Sequence, residues 1–321
     1  MKVEINTLEK MKAFNTLREF LGMSVFSTDE VFNKFSTDKG GNLYEIDGQK
    51  FYFKPGTRKD SILLVAHADT VWDKRYKNFG LIDENHWDEI EKNGYIQEKP
   101  IEKFNAFHSG SKNYGLGADD RAGAAIVWLL KDSGNSILIT DCEEIGAFSA
   151  RNIMKDEYFR DIINSHRYML QFDLNGKNKF KCYSAGSDDF KAMMEVKTKL
   201  DMLPNFSFTD IAVLGKKICG ANLATGYKFD HTPYETLVKK DWYKCYKIAK
   251  KLSKSLHQQF NVDPEFGYKH FKDEKFEDYQ LNEFEDDNPF EDSNLNSNSE
   301  KFKDDVIIDM SGEQEQEIER M

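Results

Sequence analysis

The stretch Gly117-Ala118-Asp119-Asp120-Arg121-Ala122-Gly123 joins a loop to residues 124–130, whose apolar sequence AAIVWLL predicts a buried helix. Burying one unpaired carboxylate costs several kcal/mol, and two neighbouring carboxylates also repel each other. A helix N-terminus offsets only about 0.3–1 kcal/mol of this cost, and Arg121 is the one basic residue within the stretch. A bound metal ion would supply the missing positive charge, so the stretch predicts a metal site if other ligands lie nearby.

Further candidate ligands follow apolar segments that predict buried strands, or lie where a loop meets a helix. They are His67 and Asp69 after residues 61–66, Glu143 and Glu144 after residues 136–140, Asp173 after residues 168–172, and His231 in a loop before a helix. In an open α/β sheet, binding sites form beyond the carboxyl ends of the strands. The combined pattern therefore indicates a metal site much more specifically than any one of these residues does.

Predicted strands alternate with predicted helices along the chain. This favours an α/β fold with a mixed, mostly parallel central sheet and helices on both faces. The sequence also predicts a β-hairpin over residues 42–54 that turns at Asp47-Gly48. Edge strands are predicted over 179–183 and 190–197, and a further strand over 217–223. Helices are predicted over residues 7–22, 119–132, 147–154, 157–164 and 235–260, with a short helix near 29 and a short turn or helix at 209–210.

Residues 72–114 are predicted to be irregular, since aromatic residues are scattered there among many charges. This segment could form one wall of a substrate pocket, because loops often carry functional residues. It could equally be a plain insertion. His86 and His108 lie within it, and we expect both to be solvated rather than to bind metal.

The acidity of the chain is concentrated at its C-terminal end. The net charge of the whole chain is -11, but residues 273–321 alone carry -14, which leaves the remainder near neutral. We predict a folded domain over residues 1–262 and an acidic, disordered tail over 263–321, since high charge without apolar periodicity favours disorder. The tail could contact an unidentified protein, or it could be a solvated segment with no fixed role.

Several classes of protein are disfavoured by composition. The four cysteines are widely spaced with no C-x-x-C pair, which argues against a disulfide framework or a cysteine zinc site. We find no signal-peptide pattern and no apolar run of membrane-spanning length. The nearly neutral body gives no indication of nucleic-acid or membrane binding. A cytoplasmic location is the default expectation.

The ordered motifs resemble the two-zinc exopeptidases, the superfamily of leucyl-aminopeptidase-like and glutamate-carboxypeptidase-like metallopeptidases. The resemblance covers roughly residues 40–260 and rests on His67-x-Asp69, Gly117-Ala-Asp119-Asp120, Glu143-Glu144-x-Gly146, Asp173 and His231-Thr-Pro. It implies a three-layer sandwich of the phosphorylase/hydrolase-like kind. Only 57 residues separate Asp173 from His231, too few for the lid domain of related carboxypeptidases. The resemblance therefore implies the compact, single-domain type.

The resemblance also implies a set of metal ligands. Asp119 would bridge two ions. His67 and Asp173 would complete the protein ligands of one ion, and Glu144 and His231 those of the other. Imidazole and carboxylate ligands without thiolate suit two Zn²⁺ ions per chain, with Co²⁺ or Mn²⁺ as possible substitutes.

Two further residues receive catalytic roles from the resemblance. Asp69 would orient the ring of His67. Glu143 would act as general base: it would take a proton from the metal-bound water, which leaves a hydroxide shared by the two ions, and then deliver that proton to the leaving amine. A bend after the strand is needed if Glu143 and Glu144 are both to point inward, because neighbouring residues of a strand face opposite sides. The resemblance implies a cis peptide bond between Asp119 and Asp120, and Asp120 could pair with Arg121 or with a backbone amide.

The predicted function is hydrolysis of peptide bonds, with an aminopeptidase acting on short peptides as the first choice. Another amide hydrolase of the same chemistry (a carboxypeptidase, a dipeptidase or an N-deacylase) is the alternative, and a non-catalytic binding module on a peptidase fold is a third. A substrate amine needs a carboxylate near the metals, and a substrate carboxylate needs Arg or Lys. Arg121, Lys228 and Asp230 are all close in sequence to the ligands and do not decide between these needs.

Asp141 could face away from the site or could raise the pKa of Glu143 by repulsion. The sequence leaves the oligomeric state open.

Overall fold

The computed structural model describes residues 2–204, 207–267 and 269, with backbone only for residues 2–6. The helices are α1 (Lys2–Leu21), α2 (Asp29–Ser36), α3 (Glu84–Lys92), α4 (Ala118–Leu129), α5 (Phe148–Lys155), α6 (Glu157–Asn164), α7 (Asp188–Thr198), α8 (Asp210–Leu214) and α9 (Lys239–Ser253), with a 3₁₀ helix at Lys74–Phe79. The strands are β1 (Asn42–Ile46), β2 (Gln49–Lys54), β3 (Leu63–His67), β4 (Ile101–Lys103), β5 (Ala106–His108), β6 (Ser136–Thr140), β7 (Met169–Leu174), β8 (Lys179–Lys181), β9 (Asp201–Met202), β10 (Gly220–Ala224), β11 (Tyr227–Lys228) and β12 (Thr236–Val238).

Eight strands form the central sheet in the order β1-β2-β6-β3-β7-β10-β8-β9. The four central strands β6, β3, β7 and β10 run parallel to one another, and the antiparallel pairs β1–β2, β2–β6 and β10–β8 flank them. The prediction of a mixed, mostly parallel sheet is confirmed. Because β3, β6 and β7 are parallel, the residues that end them or follow them meet at one edge of the sheet.

The core of the protein lies on both faces of this sheet. Along β3, Leu64 contributes to the core on one face together with α1, α2, α4 and α9, while Leu63 and Val65 contribute to the core on the other face together with α5 and α8. A strand buried on both sides is expected to be apolar throughout, and every residue of β3 is buried. The predicted placement of helices on both faces is therefore confirmed.

The segment predicted to be irregular is more ordered than expected. Residues 72–114 contain the 3₁₀ helix, α3, β4 and β5. The two strands join β12 and β11 in a second, four-stranded sheet in the order β11-β12-β5-β4. The contact between β5 and β12 pairs Phe107 with Leu237, residues that are far apart in the sequence.

Two predicted elements are wrong. Residues 190–197, predicted as an edge strand, lie in helix α7, where Ser187 caps the N-terminus by accepting a hydrogen bond from the amide of Phe190. The buried residues Phe190 and Met194 are four positions apart, which is a helical spacing. The last helix was predicted over 235–260 but spans only Lys239–Ser253, because the residues before it form β12.

The end of the described chain packs on the folded body. Phe266 is completely buried within the main core. Beyond residue 269, the predicted acidic tail lies outside the described residues. Among the residues that the structure does describe, no helix is long and apolar enough to cross a membrane.

We predict that His166 makes the fold sensitive to acid. Its buried ring donates from Nδ1 to the carbonyl of Ile163 (3.0 Å) and accepts at Nε2 from the hydroxyl of Ser136 (2.7 Å), and burial lowers its pKa. An unfolded chain takes up the proton near pH 6.5, whereas the folded chain does so only at lower pH. Stability should therefore fall below that pH by up to about 1.4 kcal/mol per pH unit.

This prediction is tested by urea unfolding of the wild type and of His166→Gln between pH 7.5 and 5.5. The wild type should lose more stability over that range than the variant does, and His108→Gln, in the second sheet, serves as the control. If the free energy of unfolding depended on pH equally in the wild type and in His166→Gln, His166 would have the same pKa in the folded and the unfolded chain.

Candidate metal centre

The fold brings the five predicted ligands together from five separate positions in the chain. His67 is the last residue of β3, and Asp119 lies at the start of α4. Asp173 lies near the end of β7, while Glu144 belongs to the turn that follows β6. His231 lies in the loop between β11 and β12.

The two oxygens of the Asp119 carboxylate face two different groups of ligands. Oδ1 lies 3.1 Å from Nε2 of His67, and that nitrogen is 3.5 Å from Oδ1 of Asp173. Oδ2 lies 3.3 Å from Nε2 of His231, which is 3.2 Å from Oε2 of Glu144. Asp119 is thus shared by one His–Asp group and one His–Glu group, as a bridging ligand would be.

These distances fit two metal ions. Ligand atoms on one tetrahedral zinc, with bonds of about 2.0–2.1 Å, lie about 3.3 Å from each other, and all four separations fall between 3.1 and 3.5 Å. Oε1 of Glu144 is buried without a hydrogen-bond partner, as is expected of an atom that binds an ion. The side chain of His231 is 46% exposed, so the His–Glu group borders solvent at that residue.

The electrostatics of the site show a surplus of negative charge. Burial, aided by the nearby Asp119, raises the pKa of the Asp173 carboxyl to about 8, and burial also raises the pKa of Glu144. Burial acts in the same direction on Asp119, but hydrogen bonds from His231 and His67 hold its pKa well below the usual range. Within the described part of the chain, no Lys or Arg forms an ion pair with these carboxylates. Cations bound between them would remove the repulsion.

Asp69 connects the ring of His67 to the turn that carries the two glutamates. Nδ1 of His67 lies 3.1 Å from the backbone carbonyl of Asp69 and 3.4 Å from its carboxylate. The same carboxylate accepts hydrogen bonds from the amides of Glu143 (3.2 Å) and Glu144 (3.1 Å). The bend that the sequence requires is present, since β6 ends at Thr140 and Cys142 has a positive φ of 59°.

The carboxylate of Glu143 differs from its neighbours in having no partner. Within the described chain it accepts no hydrogen bond and forms no ion pair, whereas Glu144 faces His231. Burial raises the pKa of Glu143 well above its usual value; the nearby His67 opposes this rise and Asp173 adds to it. A carboxylate with raised proton affinity and a free oxygen is suited to take up and release a proton.

The second aspartate of the opening stretch has a structural role. The peptide bond between Asp119 and Asp120 is cis, as the resemblance implies. Asp120 accepts hydrogen bonds from the amides of His67 (3.2 Å) and Gly123 (2.9 Å), so it pairs with backbone rather than with Arg121. A side chain at position 123 would collide with the Asp120 carboxylate, since an added Cβ would lie 2.2 Å from its oxygen.

The other charged residues near the motifs are also placed. Asp141 faces away from the ligands and binds the guanidinium of Arg75, while Arg121 donates to the backbone carbonyls of Ser24 and Ala68. Asp230 has an oxygen within 4.8 Å of ligand atoms of Asp119 and His231. Among the described residues, no group with metal-binding geometry includes His86 or His108.

Several residues that hold the ligands were missed by the sequence analysis. The buried carboxylate of Glu235 accepts hydrogen bonds from the amides of Gly117 (2.7 Å) and Asp119 (3.0 Å). The carboxylate of Asp173 accepts hydrogen bonds from Thr209 (2.9 Å), Gln171 (3.1 Å) and Tyr227 (3.2 Å). Of these, Thr209 had been assigned only to a predicted short turn or helix at 209–210.

Peptidases are among the solved structures with a similar fold. Aminopeptidase PepT from Bacillus cereus gives a TM-score of 0.54 at 16% identity over 76% of this chain and 98% of that chain. A tripeptidase from Staphylococcus aureus and an aminopeptidase from Desulfurococcus kamchatkensis each give 0.52 at 12% identity, over 77% and 76% of this chain and 99% and 95% of theirs. No protein-family model and no curated protein matches the sequence. The likeness confirms the predicted fold class.

We predict that Thr209→Ala weakens metal binding without unfolding the chain. The substitution removes a hydrogen bond that orients the carboxylate of Asp173, and the loss of such a partner typically costs about 10–100-fold in metal affinity or activity. Zinc competition titration measures the effect. Thr198→Ala is the matched control, because it also removes a buried hydroxyl, one that donates to the carbonyl of Met194. Equal zinc affinity in the two variants would argue against a ligand role for Asp173.

Proposed function

We propose that this protein is a two-zinc metallo-exopeptidase, most consistent with an aminopeptidase that acts on short peptides. The observation that carries the proposal is the position of Asp119, whose two oxygens each lie within 3.3 Å of a different histidine. Each histidine in turn lies within 3.5 Å of a second carboxylate. The fold shared with aminopeptidases and a tripeptidase supports the same conclusion.

The ligand roles follow from this arrangement. His67 and Asp173 would hold one ion, Glu144 and His231 would hold the other, and Asp119 would bind both. Two such ions, when bound, polarise the scissile carbonyl and lower the pKa of water. Histidine and carboxylate ligands without thiolate suit Zn²⁺, and they would also accept Co²⁺ or Mn²⁺.

Glu143 is the residue that would move the proton. Its unpartnered carboxylate takes a proton from the attacking water and later gives it to the leaving amine, as a general base and acid does. The carboxylate of Asp69 accepts a hydrogen bond from the backbone amide of Glu143 and so keeps this residue in place. The same carboxylate also keeps the ring of His67 oriented. Asp69 and Glu143 thus serve catalysis without being metal ligands.

The surroundings of the ligands favour an amine over a carboxylate as the recognised end of the substrate. Asp230, a carboxylate beside Asp119 and His231, accepts one hydrogen bond within the described chain, from the side-chain amide of Asn175 (3.2 Å). Arg121 is fully buried against backbone carbonyls and is not available to a substrate. A carboxypeptidase, a dipeptidase or an N-deacylase remains the alternative.

The free thiols of the four cysteines fit a reducing, cytoplasmic location.

The first test is the metal content of the purified protein together with hydrolysis of free and N-blocked peptides. We expect two zinc ions per chain and cleavage of peptides with free N-termini only, because the proposed site recognises an amine. Cleavage of blocked peptides with the same metal content would instead indicate a deacylase or a carboxypeptidase. If no stoichiometric metal bound even after reconstitution, the proposal would be wrong and a peptidase-like binding module would remain.

We also predict that Glu143→Gln keeps both metals but loses most of the turnover, since a general base typically contributes about 10²–10⁴-fold. Asp119→Asn should instead lose metal and stability together, because Asp119 belongs to both ligand groups. Metal analysis, peptide hydrolysis and thermal unfolding are measured on the same preparations, with the surface variant Glu157→Gln as control. Wild-type rates in Glu143→Gln would show that the base is assigned to the wrong residue.

A further inference from the structure

The 3₁₀ helix at Lys74–Phe79 lies against the residues that orient the two glutamates. Two neighbouring side chains of this helix, Arg75 and Tyr76, reach toward the turn after β6 from the segment that the sequence left unexplained. Tyr76 is only 2% exposed, and its hydroxyl donates to Oδ2 of Asp69 at 3.0 Å. Within the part of the chain that the structure describes, neither side chain is hydrogen-bonded or ion-paired to a predicted metal ligand.

Tyr76 acts on the glutamates through Asp69. Oδ2 of Asp69 accepts both the Tyr76 hydroxyl and the amide of Glu144, while Oδ1 accepts the amide of Glu143. A buried carboxylate that receives three donors from different directions has little freedom to rotate. Burial, with the Asp69 carboxylate nearby, raises the pKa of the Tyr76 phenol, so the hydroxyl stays protonated and remains a donor.

Arg75 fixes the same turn at its other end. Its guanidinium binds both carboxylate oxygens of Asp141, at 2.7 and 2.8 Å. It also binds Asp73, the residue that caps the 3₁₀ helix. Asp141 in turn accepts a hydrogen bond from the amide of Cys142 (2.9 Å), which is where the backbone bends. A guanidinium bound to two carboxylates is a rigid connection, because its donors are planar.

We propose that Tyr76 and Arg75 are positioning residues, which hold the turn of Glu143 and Glu144 so that one side chain faces the substrate water and the other faces the metal. This inference rests on the proposed function. It also gives a role to the segment 72–114, which would be a support for the catalytic turn. Neighbouring residues can take such different roles only if the backbone between them is fixed, and the two oxygens of Asp69 hold the two amides separately.

The test compares Tyr76→Phe with Tyr114→Phe. Tyr114 is buried in the same segment, and its hydroxyl bonds to backbone atoms of Ile96 and Glu98, away from the catalytic turn. Tyr76→Phe should lower kcat about 10-fold, in line with the loss of other outer hydrogen bonds around metal sites, while KM and zinc content stay at wild-type values. Tyr114→Phe should keep wild-type kcat although it loses comparable thermal stability. A purely structural role for Tyr76 would give both variants the same kcat and would overturn the proposal.

A second measurement does not depend on activity. Amide hydrogen exchange at Glu143 and Glu144 reports the two bonds to Asp69 directly, and it should be faster in Tyr76→Phe than in the wild type or in Tyr114→Phe. If the wild type hydrolysed no peptide, the proposed function would fail, and the exchange rates would still decide the positioning role. Unchanged exchange in Tyr76→Phe would overturn that role even in an active enzyme.

Arg75 is tested by the pair Arg75→Gln and Arg75→Lys. Arg75→Gln should lower kcat and speed exchange at Glu143, because Asp141 then has no cationic partner. Arg75→Lys restores the charge and should recover part of the lost kcat, although a lysine cannot bind both oxygens in the same plane. Wild-type kcat in Arg75→Gln would remove Arg75 from the proposal.

Discussion

The repulsion between buried carboxylates at one edge of the sheet is the constraint on which the rest of the site depends. Asp119, Asp173 and Glu144 converge there, and the basic side chains that the described structure places against them are those of two histidines. Burial together with this repulsion raises the proton affinity of Asp173 and Glu144, because a buried carboxylate without counter-charge is costly. The parallel strands, the helix start and the hydrogen bonds from Glu235 to the backbone around Asp119 all act to place negative charge where cations would balance it.

The closeness of the candidate ligands could be predicted because it depends on local features of the sequence. His67 and Asp173 lie at or near the ends of apolar strands, and strands of this kind pair in parallel, so their ends meet. The position of Asp119 could be predicted because two adjacent carboxylates stand where a loop meets an apolar helix. The error at residues 190–197 was avoidable, because Phe190 and Met194 have helical spacing.

The remaining parts of the site depend on contacts between distant residues, which no local pattern announces. The second sheet pairs Phe107 with Leu237, and Glu235 reaches the amide of Gly117 over 118 positions. Tyr76 likewise lies in a stretch whose composition predicts only irregular structure. Such residues act through one or two hydrogen bonds, and a single polar side chain has no periodicity from which its partner could be inferred.

The turn after β6 shows how one short stretch supplies acids with different roles. Asp141 is bound by a guanidinium and Glu144 faces an imidazole, but Glu143 has no partner within the described chain. The proton affinity of a carboxylate depends on which charges and donors surround it. Under the proposed function, sequence neighbours of the same chemical type would serve as a structural ion pair, a metal ligand and a base, according to the direction in which the backbone points them. Asp69, which accepts the amides of Glu143 and Glu144, and the bend at Cys142 fix that direction, so the proposed chemistry depends on the residues that hold the turn as well as on the acids themselves.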